Sequence, residues 1–448
     1  MLKFNQCPSV VPVGVGLTLK STFSILFLNL LIACCLLMSS FSVEASNKSN
    51  TSKKQKKSKK ERNQQQQVTL SDYVEELVNR YAEQDETYGI AVGIIYDNKA
   101  YQFGYGQISD QDPMPPSAQT LFHLGSLSKV FTTAVFSGLV QDAILAPNAP
   151  ITQYLPDSVV QANPFLAQIT LQQLATHTSG LPKEPYNIAL TLVDKDNPYA
   201  NYTIKDVYGF LMHYKPRDMG KKWYRKGKQK PKAAVSEEQN IHFRYSHFGV
   251  GLLGHLLENA TQTPYDELLS KYVRQPLAIP DLHSQMPMDN QKQLAPGHYF
   301  SGKTANRLHY ASLEGSEGLR SSLEGVLRFT YANMLPYLGE DAPVLNSKKT
   351  VDKEAMVKAL AKCHEPKAAT NMQFVSVGLG WYIINQGSKK NPTSIITHSG
   401  RTGGYSNYIA FEKEKGVGVV ILSNSASRID QLGIDILEVL LANKRAEE

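Results

Sequence analysis

Cysteine is scarce in this chain, and its placement excludes a disulfide-stabilised body. Four cysteines occur in 448 residues, and three of them, Cys7, Cys34 and Cys35, lie close to the N-terminus. Cys363 is the one cysteine of the body, so no intramolecular disulfide can form there. The eleven histidines contain no His-x-x-x-His spacing, and no Cys-x-x-Cys pair is present. The sequence therefore predicts no bound metal and no cofactor.

Long hydrophobic runs are also absent after the first fifty residues, so no membrane-spanning helix is expected in the body. The single apolar stretch covers residues 23–38, follows lysines, and is followed by small residues at Val43 and Ala45. We predict that residues 1–45 are a signal peptide cleaved after Ala45, which would make the protein periplasmic or secreted. Two alternatives stay open, namely an uncleaved membrane anchor and a lipoprotein cut before Cys34.

Excess positive charge is confined to one short tract. Residues 46–67 consist mainly of Ser, Asn, Lys and Gln, and their seven lysines and Arg62 against Glu61 give a formal charge of +7. The whole chain also carries +7, so the other residues sum to zero and nucleic-acid binding is not expected. The tract is predicted to be a basic low-complexity linker, because it is too polar to form a core. Peripheral contact with a membrane or an anionic envelope polymer is an alternative role.

Strand-like segments lie at the two ends of the body. Residues 88–96 and 100–106 surround an Asp97-Asn98 turn, which is typical of a β-hairpin. The next strand patterns occur only between residues 375 and 424. We therefore predict one antiparallel sheet that is formed from N- and C-terminal segments and covered by terminal helices.

Between about residues 111 and 365 the sequence predicts an inserted, mainly helical subdomain, because apolar residues recur there at helical spacing. Residues 217–239 are rich in Lys, Gly and Gln and are interpreted as a surface loop. The fold class is therefore α/β (α+β), with residues 68–448 as one domain. With the terminal helices included, the predicted helices are 70–82, 129–142, 171–176, 204–213, 248–259, 264–273, 322–334 and 430–443.

One short motif suggests covalent chemistry. Ser126-Leu127-Ser128-Lys129 is the only Ser-x-x-Lys spacing in the chain, and it lies at a predicted helix start. Residues three apart share a helix face, so the Lys129 amine could take the proton of Ser126, whose hydroxyl alone is a poor nucleophile. Gly125 would allow close backbone approach, and the helix start would offer the Ser126 N–H to an oxyanion. The bare spacing also fits an ordinary helix surface or N-cap.

The stretch 121–129 resembles the first motif of the serine hydrolases that include class C β-lactamases, low-molecular-mass penicillin-binding proteins and related esterases. Similar stretches follow in order at 174–182, at 378–381 and in the C-terminal strands, and the likeness covers most of residues 70–445. The resemblance implies a β-lactamase/transpeptidase-like fold and an acyl-enzyme on Ser126. An α/β-hydrolase is excluded, because the chain has no Gly-x-Ser-x-Gly elbow.

The second motif of this family is Tyr-x-Asn, and the resemblance places it at Tyr245, on a loop before a Gly-containing apolar helix. Tyr245 is the candidate base, which requires the charge of Lys129, with His398 as a second contributor, to lower its pKa. The sequence leaves open whether Tyr245 or Lys129 holds the transferred proton. A tyrosine that only packs in the core is the alternative. Three literal matches are set aside, namely those that begin at Tyr199, Tyr331 and Tyr405.

His247 stands where the family usually has asparagine. An imidazole could contact substrate or the Ser126 and Lys129 pair, but it offers one donor when neutral and adds charge when protonated. Penicillin-type amide recognition is therefore in doubt, and packing at a helix start is an equal alternative. His177, in a Thr-His-Thr-Ser-Gly turn, is interpreted as structural.

The third motif of the family is Lys-Thr-Gly or His-Thr-Gly on the sheet edge beside the site. His398-Ser399-Gly400 resembles the histidine form. The resemblance implies that Gly400 lets substrate lie along the strand and that the Arg401 backbone N–H is the second oxyanion donor. A β-bulge with no ligand role is the alternative.

These motifs predict an exported active-site serine hydrolase that acts on D-Ala-D-Ala-type peptides of peptidoglycan and is acylated by penicillins. The histidine form of the third motif favours the peptidase and esterase branches. A class C-like β-lactamase, which would take a β-lactam, and an esterase for small acyl esters are alternatives within the class. A catalytically silent protein that binds wall fragments is the alternative outside it.

Overall fold

The structure is a computed structural model that describes the chain in seven stretches: residues 4–6, 70–84, 87–215, 243–284, 293–338, 353–387 and 392–447. The basic tract 46–67, the predicted loop 217–239 and most of the predicted leader lie outside the described residues. Met1–Cys7 and Val74–Glu448 belong to one compact unit, and Pro8–Tyr73 to a second unit, of which only the beginning of a helix is described.

The main unit is built on an antiparallel sheet with one parallel edge. Among the described residues this sheet has nine strands in the order β1-β3-β2-β11-β10-β9-β8-β7-β6, and β1 pairs in parallel with β3. A separate pair is formed by β4 and β5. The strands are β1 (Phe4–Gln6), β2 (Gly89–Tyr96), β3 (Lys99–Gly106), β4 (Leu121–His123), β5 (Arg320–Ser322), β6 (Ala368–Ala369), β7 (Val375–Val377), β8 (Tyr382–Gly387), β9 (Pro392–Arg401), β10 (Ser406–Glu412) and β11 (Val417–Ser423).

The two ends of the body meet in the middle of the sheet, as predicted. Strand β2 pairs with β11 in an antiparallel register that places Ile90 opposite Ser423. All eight residues of β2 are buried, because a central strand is covered on both faces. The predicted hairpin is confirmed, since Asp97 and Asn98 form its two-residue turn with φ of 50° and 57°, a conformation that Asp and Asn tolerate better than most residues.

The helices cover the sheet and form the inserted subdomain. Helices α10 and α12 pack on the central strands, and α2 is enclosed by α6, α9 and α11. The α-helices of the described stretches are α1 (Leu70–Gln84), α2 (Ser128–Gln141), α3 (Asp157–Ala162), α4 (Leu171–Ala175), α5 (Ile204–His213), α6 (His247–Thr261), α7 (Tyr265–Leu269), α8 (Gln275–Leu277), α9 (Glu314–Glu317), α10 (Leu323–Met334), α11 (Lys353–Cys363) and α12 (Asp430–Glu447).

The predicted fold class is confirmed, with two local corrections. The helix predicted over 264–273 ends as an α-helix at Leu269 and continues as a π-helical turn, Ser270–Arg274. The region between residues 111 and 365 is not free of strands, because β4 and β5 pair within it. Three-residue strands are too short to show alternation in the sequence.

Within the described residues, neither a membrane-crossing helix nor a metal-binding cluster is found. Among the helices given above, none has both the length and the apolar character needed to cross a bilayer. In the same stretches, no group of three or more His, Cys, Asp or Glu side chains is arranged to hold a metal ion. Cys363, the one cysteine of the body, is buried and has a free thiol.

Candidate active site

Ser126 lies in a tight turn at the N-terminal end of the most enclosed helix. Residues Gly125–Leu127 form one 3₁₀ turn that runs directly into α2, which confirms the predicted helix start. Gly125 has φ of +53°, and a Cβ there would lie 3.0 Å from the Arg401 carbonyl oxygen. Glycine is therefore required both for the backbone conformation and for the close approach of β9. Ser126 keeps 6% of its surface exposed.

Lys129 lies one helical turn further along α2 and touches the serine, as the spacing predicts. Its Nζ donates to Ser126 Oγ at 3.0 Å and to the Ser316 carbonyl oxygen at 2.8 Å. The side chain is fully buried, and this burial lowers the pKa of Lys129 from 10.5 to about 8, although the nearby carboxylate of Glu317 opposes the shift. A lysine with such a pKa exchanges its proton close to neutral pH.

Glu317, at the end of α9, is a site residue that the sequence motifs do not indicate. Its Oε1 accepts from Ser126 Oγ at 2.8 Å, lies 2.6 Å from His247 Nδ1, and is 3.8 Å from Lys129 Nζ. Burial alone would raise the pKa of Glu317, but the Lys129 charge and the hydrogen bonds from His247 and Ser126 bring it down to about 2. The carboxylate is therefore ionised and holds three site residues together. A single glutamate without a motif gives no sequence signal.

Tyr245 is brought to the serine from a distant part of the chain, as predicted. Its hydroxyl is hydrogen-bonded to Ser126, and Lys129 Nζ lies 5.4 Å from the centre of its ring. The expected lowering of its pKa by Lys129 and His398 is wrong for this site. Burial raises the pKa of Tyr245 well above 10, and the hydrogen bond to Ser126 only partly opposes this. The phenol is therefore neutral in the resting site.

His177 holds the loop that carries Tyr245, in agreement with its structural interpretation. The ring of His177 lies 4.4 Å from the Tyr245 ring, centre to centre, and its Nδ1 accepts from the Ser246 backbone N–H at 3.2 Å. Its carbonyl oxygen accepts from the Arg244 N–H at 2.8 Å. The imidazole is 1% exposed, and burial lowers its pKa well below 6.5, so it is a neutral acceptor.

His247 is the first residue of α6 and lies against the Ser126 and Lys129 pair. Nδ1 is 2.6 Å from Glu317 Oε1 and 3.1 Å from Lys129 Nζ. Burial lowers the pKa of His247 below 6.5, the Lys129 charge adds to this, and the hydrogen bond to Glu317 opposes it. His247 therefore contacts Lys129 and Glu317, and its role toward substrate stays a prediction.

His398 lies on β9 beside Tyr245, but it is buried. Its ring centre is 6.4 Å from that of Tyr245 and 5.8 Å from that of Tyr382. Nδ1 donates to the Ser399 carbonyl oxygen at 2.7 Å, while Nε2 is buried without a hydrogen-bond partner among the described residues. Burial lowers the pKa of His398 to about 3. His398 is therefore neutral.

Gly400 brings β9 against the Ser126 turn. A Cβ at Gly400 would overlap the Leu124 carbonyl oxygen and lie 2.8 Å from the Leu127 backbone nitrogen. The missing side chain therefore makes room for the turn itself, which differs from the expectation that it makes room for substrate. Ser399 is half-buried and Arg401 is exposed, so the third motif borders the nucleophile at the edge of the site.

Known proteins resemble the chain over most of its length. A family model described as Beta-lactamase matches residues 74–444. A "Beta-lactamase" of Yersinia enterocolitica is 26% identical over 407 residues, covering 84% of this chain and 92% of the relative. The "D-alanyl-D-alanine-carboxypeptidase/endopeptidase AmpH" of Escherichia coli (strain K12) is 24% identical over 391 residues, with 84% and 92% covered. The crystal structure of "D-alanine Carboxypeptidase AmpC" from Burkholderia cenocepacia matches with a TM-score of 0.63 at 22% identity, over 84% of this chain and 99% of that one.

Proposed function

Because this chain belongs to the beta-lactamase family and is a serine hydrolase, we propose that it is an exported D-Ala-D-Ala carboxypeptidase or endopeptidase of the penicillin-binding type. Its substrates would be peptidoglycan peptides, and Ser126 would carry the acyl group. The relatives named above support this choice, since one of them is named as a D-alanyl-D-alanine-carboxypeptidase/endopeptidase.

One observation carries the proposal: the buried Lys129 Nζ lies 3.0 Å from Ser126 Oγ and has a pKa of about 8. At pH 7 roughly a tenth of such an amine is unprotonated and can accept a proton. A buried amine beside a hydroxyl, with a neutral phenol in contact, is an arrangement that activates a serine.

Acylation would begin with neutral Lys129. The Ser126 proton moves to Lys129 Nζ while Oγ forms a bond to the scissile carbonyl carbon, and the carbonyl oxygen becomes an oxyanion. Backbone N–H groups of Ser126 and Arg401 would stabilise that oxyanion. Glu317, 3.8 Å from Lys129 Nζ, stabilises the ammonium that forms in this step.

Collapse of the tetrahedral intermediate would use Tyr245 as the proton donor. The bond from the carbonyl carbon to the leaving amine breaks, the neutral Tyr245 phenol gives its proton to that amine, and Lys129 returns a proton to Tyr245. Water then attacks the acyl-enzyme with the same residues acting in reverse, and Ser126 is released. Tyr245 therefore acts here as a proton relay that begins as a neutral phenol, whereas the sequence-based hypothesis made it a base with a lowered pKa.

Intact-protein mass spectrometry after brief exposure to benzylpenicillin tests this proposal. We expect one covalent adduct on the wild-type full chain and none on Ser126→Ala. Ser158→Ala, an exposed serine in α3, is the matched control and should be labelled like the wild type. Labelling that survives Ser126→Ala would contradict the mechanism. No labelling of the wild type, while a known penicillin-binding protein is labelled, would favour the silent binding protein.

The lifetime of the adduct separates the branches of the family. A carboxypeptidase should release D-alanine from diacetyl-L-Lys-D-Ala-D-Ala and keep its penicillin adduct for minutes or longer. Rapid nitrocefin hydrolysis without a lasting adduct would instead support a β-lactamase. Turnover of 4-nitrophenyl esters without release of D-alanine would support the esterase alternative. The mass of the purified mature protein also tests export, because cleavage after Ala45 leaves Ser46 at the N-terminus.

A further inference from the structure

The proton position on His247 is fixed by its neighbours. Glu317 Oε1 lies 2.6 Å from Nδ1, and a carboxylate oxygen can only accept, so Nδ1 must carry the hydrogen. Lys129 Nζ is also 3.1 Å from Nδ1, and besides its donations to Ser126 Oγ and to the Ser316 carbonyl oxygen it has a third hydrogen. An Nδ1 that already carries a hydrogen toward Glu317 cannot accept it, so the contact between Lys129 and His247 is not a hydrogen bond to a lone pair of Nδ1.

The other ring nitrogen of His247 is then a bare acceptor. A neutral imidazole carries one hydrogen, so Nε2 keeps a lone pair. Burial and the charge of Lys129 keep the ring neutral near pH 7. Nε2 makes no hydrogen bond to any of the described residues, and His247 keeps 8% of its surface exposed.

The ring cannot easily turn to reverse this arrangement. The His247 backbone N–H donates to the Lys183 carbonyl oxygen at 3.1 Å, and the preceding Ser246 Oγ accepts from the Gly249 N–H at 2.8 Å and donates to the Pro182 carbonyl oxygen at 2.6 Å. This N-cap fixes the first turn of α6. A ring flip would place a carbon atom against the Glu317 carboxylate and lose the charge-assisted hydrogen bond.

The His247 ring lies beside the nucleophile, because Ser126 Oγ and His247 Nδ1 bind the same oxygen of Glu317. We propose that His247 offers substrate a hydrogen-bond acceptor, so that the site selects acyl groups that carry an N–H, O–H or ammonium group near the scissile carbonyl. This inference rests on the proposed acylation of Ser126. A substrate with only an acceptor at that place would face the lone pair of Nε2 and lose about tenfold or more in rate.

A matched pair of esters tests the preference. We would compare kcat/KM for the 4-nitrophenyl esters of 3-hydroxybutyric and 3-methoxybutyric acid, which differ in that a methyl group replaces the donor hydrogen. Wild type should prefer the hydroxy ester, and His247→Asn, whose amide can donate, should reduce this preference about tenfold. Using the ratio cancels effects of the variant on the nucleophile.

His255→Asn is the matched control, since His255 also lies on α6 and pairs with Glu258 through Nδ1 at 3.3 Å. It should leave the ratio unchanged. A ratio that His247→Asn leaves unchanged would overturn the inference while the acyl-enzyme proposal stands. Ester hydrolysis no faster than with Ser126→Ala would count against the proposed function instead.

A second measurement decides the inference even if the enzyme hydrolyses neither ester. Nitrogen-15 NMR of the histidine-labelled full chain at pH 7.5, assigned with the His247→Asn variant, reports which ring nitrogen carries hydrogen. We expect a protonated Nδ1 and an unprotonated Nε2 in the wild type. A protonated Nε2 would overturn the proposal, whatever the activity.

Discussion

At the scale of single residues, Lys129 is held between two opposing effects. Complete burial disfavours its ammonium form, whereas the Glu317 carboxylate 3.8 Å away favours it. The first effect is larger, and the pKa of Lys129 falls to about 8. The carboxylate therefore keeps the amine protonated at a higher pH than burial alone would allow.

The pH dependence of acylation follows from this balance. Lys129 accepts the serine proton only when it is neutral, so kcat/KM should rise with pH and reach half its limit near pH 8. Glu317→Gln removes the negative charge that favours the ammonium, so the midpoint should move to lower pH by about one unit. Stopped-flow acylation rates between pH 6 and 10 measure this.

Glu314→Gln is the control for that profile, because Glu314 lies one turn earlier on α9. It should leave the midpoint where it is in the wild type. A midpoint that stays the same or rises in Glu317→Gln would contradict the assignment of the titration to Lys129.

At the scale of elements, two helical glycines show how packing decides the effect of one methyl group. Gly209 in α5 has no neighbouring heavy atom within 4 Å of an added Cβ. Gly433 in α12 lies against the Tyr408 ring of β10, and an added Cβ would overlap that ring. The substitution of glycine by alanine should therefore change the free energy of unfolding in opposite directions at the two positions.

We expect Gly209→Ala to raise the free energy of unfolding by about 0.5–1 kcal/mol, because alanine has the higher helix propensity and a more restricted unfolded chain. Gly433→Ala should lower it by about 1–3 kcal/mol, because α12 must move away from β10. Urea unfolding followed by circular dichroism measures both. If both variants raised the free energy of unfolding, helix propensity and not packing would determine the effect of the substitution.

Elements with strong periodicity could be predicted from the sequence, and those that depend on distant contacts could not. The helix Ile204–His213 and the hairpin around Asp97 and Asn98 follow from local pattern alone. The π-helical turn Ser270–Arg274 and the pairing of β4 with β5 depend on neighbours far away in the sequence.

The same distinction applies to the site. Ser126 and Lys129 are one helical turn apart, so their contact could be predicted from spacing. Tyr245 and His398 were found through motifs with known flanks. Glu317 is 191 positions from Ser126, has no motif, and reaches the serine only because α9 packs on α2.

At the scale of the whole molecule, neutral histidines inside the body make its stability depend on pH. Five of them are at most 3% exposed, namely His123, His177, His298, His364 and His398. Burial lowers the pKa of each, and those of His364 and His398 to about 3. Above pH 6.5 such a histidine is neutral in the folded and in the unfolded chain. Between pH 6.5 and about 3 the unfolded chain protonates His364 and His398 and the folded chain does not, so stability falls as pH falls.

His364 and His398 should each contribute up to about 1.4 kcal/mol of lost stability per pH unit in that window. His364→Gln should reduce the slope of unfolding free energy against pH by about that amount between pH 6 and 4.5. Urea unfolding at several pH values measures the slope. His213→Gln, at an exposed position of α5, should leave it unchanged, and an unchanged slope in His364→Gln would contradict this account.

The pairing of β2 with β11 has a consequence for synthesis of the chain on the ribosome. Ile90 can pair with Ser423 only after the residues between them have been synthesised. At ordinary translation speeds these roughly 330 residues take on the order of tens of seconds to emerge. Throughout that time the apolar edge of β2 has no partner strand and can join another nascent chain. Nascent chains that stop before β11 should therefore depend on holding chaperones, and completion of the last strand should release them.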